Sequence, residues 1–501
     1  MKFLRSKDSL DDNDVRVGLR MLVVEGAFAQ GMTALTTGAF LVGFALELGA
    51  TNTVVGVIAS IGPLAQILQL PSILLVERVR LRKLLTLLTS GIGRLMWPAI
   101  AAIPFVFAEK YWIAALVLLL VLHFGFGNVS GCAFNSWVRD LVPIAQFGRF
   151  FAIRMAIATF AGAMLSVGGA VYIDRRVHDH GSALGAYSIV FLVAAGFALT
   201  GLLFIARMPE PTMPRERSGG ILDLLRPPLR DPNFRRLLVF LGLWNFTINF
   251  AAPFYAVYLI RYLGMSMVWV IGLSVLSQMF NVFFFRLWGG LADRFSNKSV
   301  LTVSGPLFIF SFLIWPFTTM PEPHFMTKPL LIAIHVLAGI STAGVTLCTG
   351  NIAFKLAPYG KATAYLAMNA LIGGVAATIA PVIAGLTADR LESYQLQVTL
   401  RWVDWKTASF DVFLTTIDLR GLDFVFLIAF LAGLVAMQRL VTVKEEGEVE
   451  ESIVRQEVLA MMRNMVRQVS TVGGMRQIIN FPYGTLKQWR RRRRQEERWL
   501  P

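Results

Sequence analysis

Charged side chains are scarce in this chain. Asp, Glu, Lys and Arg make up only 16% of its 501 residues, 55% are hydrophobic, and the mean hydropathy is +0.61. A soluble domain carries more charge and less apolar surface, which excludes a water-soluble enzyme and a disordered chain. Cysteine is nearly absent. Cys132 and Cys348 both lie in apolar runs, so no disulfide framework is expected, and nothing near them has metal-ligand spacing. His-Glu-x-x-His, paired intramembrane aspartates and Gly-x-Ser-x-Gly are missing too, which argues against an enzyme. The first twenty residues carry Asp8, Asp11, Asp12 and Asp14 and no apolar core. No cleavable leader is expected there, and the first apolar run serves as the targeting signal.

Long apolar runs are what the chain has instead. A hydrocarbon core of ~30 Å needs about 20 apolar residues per helix. Twelve runs meet that length, the first over 21–46 and the last over 420–443. The expected fold is an all-α integral membrane protein of twelve helices. Residues 1–20 form an N-terminal segment, 21–206 a first six-helix bundle and 207–236 a polar linker. Residues 237–443 form a second bundle and 444–501 a tail. Most of the 47 Lys and Arg fall on the side that carries both termini, which places both termini in the cytoplasm of a multi-pass cell-membrane protein. That bias also explains most of the net charge of +16, so no nucleic-acid partner is expected.

The two bundles repeat one another. Leu48 opens "LGAT" and Leu263 opens "LGMS". "VGV" at Val55 matches "IGL" at Ile271, and "LVERV" at Leu75 matches "LADRF" at Leu291. Leu-x-Pro ends at Pro143 and at Pro358, and Gly-[Arg/Lys]-x-x-Ala begins at Gly148 and at Gly360. His123 and His335 each interrupt an apolar run, with glycine four residues on. A common order at nearly one offset marks two parallel copies of a six-helix unit.

The loop "GGLADRFSNK", Gly289 to Lys298, resembles the Gly-x-Leu-Ala-Asp-Arg-x-Gly-Arg-Lys loop of the major facilitator superfamily. It keeps Gly289, Leu291, Ala292, Asp293, Arg294 and Lys298 and departs at Ser296 and Asn297. The first copy, "LLVERVRLRK", keeps only Glu77, Arg78 and a basic end, although that half usually carries the stronger copy in the family. The resemblance implies two pseudo-symmetric bundles that rock about a central cavity, and cytoplasmic contacts that latch them together. Arg149 or Arg154 would then pair with Asp293, and Lys361 with Glu77. Helices one, four, seven and ten line the cavity in this family, which would put His123 and His335 against it.

Buried polar residues supply the candidate site. His123 lies about eleven residues into its span, ~17 Å deep at 1.5 Å per residue. Ionisable groups at that depth are costly and usually face a cavity. Histidine exchanges protons near neutral pH, whereas the plain alternative is an imidazole bonded to a backbone carbonyl of the next helix. Glu25 lies on the first span, where desolvation would favour reversible protonation. Gln30, Asn245 and Asn249 are further substrate candidates, or interhelical hydrogen-bond donors. Arg94 sits at mid-depth of the third span, and the sequence names no partner for it. Ala158, Gly162, Ser166 and Ala170 form a small-residue face, as do Gly373, Ala377, Ala380 and Ala384.

Two appendages complete the chain. "QLQVTLRW" and "SFDVFLTT" alternate polar and apolar residues within an outer loop over 388–419, which fits a β-hairpin. The tail carries Val454, Val458, Met461, Met465 and Val469 on one helical face and ends in "WRRRRRQEERW", a composition suited to anionic lipid. The function expected is secondary transport of a small molecule by alternating access in a monomer, proton-coupled and outward, without a cofactor. The alternatives are a non-transporting assembly factor on the same fold and a membrane-embedded enzyme.

Overall fold

The computed structural model describes residues 6–7, 10–143, 147–181, 183–213, 221–319, 322–358, 362–403, 411–447, 449, 452–458 and 460. Lys361 and most of the tail lie outside them. The first bundle contains α1 (Asp12–Thr36, continued after a break as Ala39–Glu47) and α2 (Asn52–Ala65, continued through a tight turn as Gln69–Val79). It is completed by α3 (Arg82–Val106), α4 (Trp112–Leu141), α5 (Phe147–His180) and α6 (Leu184–Arg207). A short linker helix, Ile221–Arg230, leads to the second bundle. That bundle holds α7 (Pro232–Ala251, continued to Tyr262), α8 (Met267–Arg294), α9 (Asn297–Ile314), α10 (Thr327–Leu356), α11 (Ala362–Leu391) and α12 (Leu422–Val441). Among the described residues, eleven helices are long and apolar enough to cross a membrane, and twelve with the bent α2.

Local chemistry sets the helix starts. Asp11 accepts the Asp14 N–H at the head of α1, and Ser296 accepts the Ser299 N–H at the head of α9. Asp231 caps α7 through the N–H groups of Asn233 and Phe234, with Pro232 in the first turn, where its missing N–H costs nothing. α2 ends at Arg80, whose φ of 56° leaves the helical region. Within each bundle, fully buried aromatic side chains fill the interior: Phe40, Phe44, Trp97 and Phe191 in the first, Trp244, Tyr258 and Trp315 in the second. Lipid is as apolar as these rings, so close packing rather than expulsion of water holds the helices together.

Two breaks fall at matching places in the repeat. α1 is interrupted at Thr37 and Gly38, the latter at φ +58°, and α7 at Ala252 and Pro253. Between α11 and α12, strands β1 (Gln395–Val403) and β2 (Asp411–Arg420) pair antiparallel, with Leu396 opposite Leu419 and a bulge after Val398. The hairpin stands at the end of the molecule opposite the termini, called here the hairpin end.

The bundles meet along α2 and α11 and along α5 and α8. The first pair approaches so closely that a Cβ on Gly56 would stand 2.1 Å from the Pro381 carbonyl oxygen. A Cβ on Gly385 would stand 2.4 Å from that of Asn52. Only glycine fits either place.

Candidate functional site

Glu25 is 3% exposed on α1 and carries two ion pairs. Arg94 of α3 reaches one carboxylate oxygen at 3.2 Å, and Arg154 of α5 reaches the other at 3.2 Å. Each guanidinium also donates to a carbonyl, Arg94 to Ala198 of α6 at 2.6 Å and Arg154 to Leu22 of α1 at 3.1 Å. The cluster therefore cross-links α1, α3, α5 and α6. It answers the question left by Arg94, and it revises two expectations. Glu25 is not a lone carboxylate, because each of its oxygens is paired with a guanidinium group. Nor is Arg154 the partner of Asp293, because its donors face inward.

His123 stands beside this cluster. Its Nδ1 lies 2.8 Å from the Gly93 carbonyl oxygen on α3, and its ring meets Trp97 and Phe124 edge-on. A carbonyl can only accept, so Nδ1 carries a proton, and in the neutral ring Nε2 keeps a lone pair. Glu25, Arg94 and His123 line a cavity of ≈ 230 Å³ together with Thr86, Ser90 and Ser130.

His335 of α10 occupies the matching place in the second bundle. Its Nδ1 lies 2.8 Å from the Leu331 carbonyl oxygen of its own helix, and Trp315 meets the ring edge-on at 5.7 Å. It lines a cavity of ≈ 450 Å³ built from α7, α8, α9 and α10. Gly38, Ala39 and Val42 of α1 close that cavity from the first bundle, so it lies on the seam between the halves at both helix breaks.

Other candidates sit elsewhere. Asn245 and Asn249 of α7 donate back to the carbonyls of Leu241 and Asn245, and Asn245 packs against Gly373 of α11. Gln30 lies against Gly162 of α5, on the small-residue face named above, where Ser166 also donates to Ala34.

The expected latch does not form as drawn. Asp293, Arg149 and Arg78 are exposed and make no ion pair among the described residues. Arg294 pairs with Glu457 of the tail at 2.5 Å, within its own half. Lys361, the partner expected for Glu77, lies outside the described residues.

A different pair of clamps crosses the seam, at the hairpin end. Asp389 of α11 accepts the N–H groups of Asn52 and Thr53 in the first turn of α2, at 3.0 and 2.8 Å. Asp174 of α5 accepts those of Met267 and Val268 in the first turn of α8, at 2.7 and 2.8 Å. Aspartates and donor turns are each 215 residues apart. Both carboxylates satisfy orphan N–H groups at the positive end of a helix across the seam. The sequence held a signal for them, an Asp-Arg pair at 174–175 and again at 389–390. A buried network nearby was equally unforeseen: Asp423 of α12 accepts the Tyr258 hydroxyl and the Arg420 N–H, both at 3.0 Å.

At the terminal end a second repeated device braces each half. Glu210, after α6, accepts the Arg82 N–H at 2.6 Å, while Lys83 donates to the Met208 carbonyl at 2.9 Å. Glu445, after α12, accepts the Lys298 N–H at 2.7 Å, while Lys298 donates to the Val443 carbonyl at 2.6 Å. Burial pushes the Glu210 carboxyl up from its ordinary value, against the pull of the N–H groups and charges of Lys83 and Arg82.

Comparison with known proteins agrees with this architecture. The profile of the Major Facilitator Superfamily matches residues 26–381. No curated protein sequence matches the chain. Among solved structures, the nucleoside transporter NupG aligns with a TM-score of 0.61 at 13% identity, over 86% of this chain and 100% of its own. The D-xylose-proton symporter aligns at 0.61 and 14%, over 87% and 100%. A bacterial homolog of the human lysosomal transporter Spinster aligns at 0.60 and 13%, over 87% and 98%. Eleven apolar helices among the described residues, twelve with the bent α2, and a profile match across most of the chain establish that this multi-pass membrane protein belongs to the Major Facilitator Superfamily.

Proposed function

We propose that the chain is a secondary active transporter, not an enzyme, and that it carries a small molecule through the seam cavity by alternating access. The observation that carries this reading is the pair of repeat-related clamps. Each joins the halves through two hydrogen bonds to one carboxylate, a contact strong enough to favour closure and small enough to break reversibly. Outward movement, from a cytoplasm that holds both termini, is part of the same proposal. Coupling to protons runs through His123 and His335, because each keeps an Nε2 lone pair beside a cavity. The chain works as a monomer in the cell membrane, with the arginine-rich tail resting on anionic lipid.

Purified protein in liposomes with an internal pH dye tests the reading. A candidate solute applied to one side should move together with protons, and the Asp174→Asn, Asp389→Asn double variant should lose that movement. Solute flux that leaves internal pH unchanged would remove proton coupling. A double variant that transports like the wild type would remove the clamps from the cycle.

A further inference from the structure

A groove of ≈ 480 Å³ lies between α3 and α6 of the first bundle, near the hairpin end. No residue of the second bundle lines it, so it stands apart from the seam and from the transport reading. Small residues leave the space: Pro98, Ala101 and Ala102 on α3, Gly185 and Ala186 on α6. The large ones that flank it, Phe105 and Leu192, are 71% and 51% exposed, so the groove faces what surrounds the bundle. Its two stretches, 98–105 and 185–192, each run ~10 Å at 1.5 Å per residue. α3 ends at Val106 and α6 begins at Leu184, so the groove starts at the helix ends. From there it runs about two-thirds of the way through one ~15 Å half of the hydrocarbon core.

Its polar groups are graded along that depth. Arg176, one turn before the end of α5, is the one charged residue among the described residues that line it. The acidic neighbours on the same helix are Asp174, spent on the head of α8, and Asp179, a turn nearer the helix end. α6 begins without a side-chain cap, so the N–H groups of Leu184, Gly185 and Ala186 have no partner within the helix. Such a helix head attracts an anion, and a guanidinium beside it suits a phosphate. One turn deeper on α6, Ser188 lines the groove at 3% exposure, and its hydroxyl has no partner among the described residues. A buried hydroxyl left bare is costly, and an uncharged carbonyl oxygen would accept its proton. Below that level the lining is apolar. Phosphate, then ester, then hydrocarbon is the order of groups along a glycerophospholipid. A cationic head group would stand against Arg176, which favours an anionic lipid.

We infer that this groove is a binding site for one anionic glycerophospholipid of the hairpin-end leaflet. Its phosphate rests on Arg176 and the head of α6, an ester carbonyl accepts from Ser188, and the chain lies along Ala101, Ala102 and Leu192. The full chain in detergent is titrated with 1-palmitoyl-2-oleoyl-phosphatidylglycerol while native mass spectrometry counts the lipid retained and the thermal midpoint is followed. The diacylglycerol with the same chains lacks the phosphate, and palmitate lacks the ester. One phosphatidylglycerol should bind more tightly than any further copy and raise the midpoint, and the other two probes should do neither. Arg176→Gln should weaken that site about 10-fold, the worth of one charge-assisted hydrogen bond. Ser188→Ala should weaken it about 3-fold, the worth of a neutral one. Arg175→Gln removes a neighbouring exposed charge outside the groove and should leave the affinity unchanged. A Cβ on Gly185 meets nothing within 4 Å, so Gly185→Leu should fill the groove and abolish the site with the lipid-free midpoint kept. Where that midpoint falls instead, Arg176→Gln carries the test. Equal losses in Arg175→Gln and Arg176→Gln, or undiminished binding in Arg176→Gln, would overturn the inference. So would a diacylglycerol or palmitate that binds as tightly as phosphatidylglycerol, because the phosphate or the ester would then contribute nothing.

Discussion

Replacing Asp389 with asparagine should release the hairpin end of the seam. The carboxylate accepts two backbone N–H groups at the head of α2, at 3.0 and 2.8 Å. A hydrogen bond to a charged group contributes about 1.5–3 kcal/mol and a neutral one about 0.5–1.5. Asparagine keeps one acceptor oxygen, turns an amide donor toward the second N–H, and forfeits an attraction of about 0.3–1 kcal/mol between charge and helix end. Closure should weaken by about 2 kcal/mol, a roughly 30-fold shift in the open-to-closed ratio. Asp174→Asn acts on the separate α5–α8 contact, so the double variant should reach about 4 kcal/mol, near a thousandfold. Spin labels at Glu47 and Glu392, both exposed at this end on opposite halves, report the distance once Cys132 and Cys348 are replaced by serine. The single variant should gain a longer-distance population and the double variant should be dominated by it. If the double variant gives the wild-type distribution while its thermal midpoint is unchanged, the carboxylates do not hold the seam.

Glu25→Gln should lower stability by about 3–5 kcal/mol, because it leaves the buried Arg94 and the half-buried Arg154 guanidinium groups without their counter-charge. Thermal unfolding in detergent measures this, and an unchanged midpoint would show that the cluster is not a brace. Combining Glu25→Gln with Arg94→Met should recover part of the loss. His123→Gln together with His335→Gln should abolish any pH-dependent change in Trp fluorescence or helix distances between about pH 5 and 8. Superimposable curves for wild type and the double histidine variant would leave proton coupling without a carrier. Glu445→Gln should loosen the head of α9 by about 1 kcal/mol, the worth of a capping interaction, seen as faster hydrogen exchange at Asn297 and Lys298.

What was legible in the sequence is what depends on neighbours along the chain. Apolar runs set the helix count, because a backbone in hydrocarbon must satisfy its own hydrogen bonds. A nearly constant repeat offset set the two-bundle architecture, and a ten-residue loop pointed to the family. The alternating strands beside the last span could be read in the same way, and so could the pairing of His123 with His335. The partner of Arg94 could not: Glu25 is 69 residues away, and only the packing of α1 on α5 and of both α1 and α3 on α6 brings the three charges together. The clamps were missed for a related reason. A span read from hydropathy stops at its first charge, whereas α5 and α11 continue to His180 and Leu391 and carry Asp174 and Asp389 beyond the apolar runs. Those residues then meet helix ends 93 and 337 positions distant, across a seam that exists only once both bundles have folded. Side-chain type fixes that an aspartate needs donors, and tertiary packing alone decides whose N–H groups supply them.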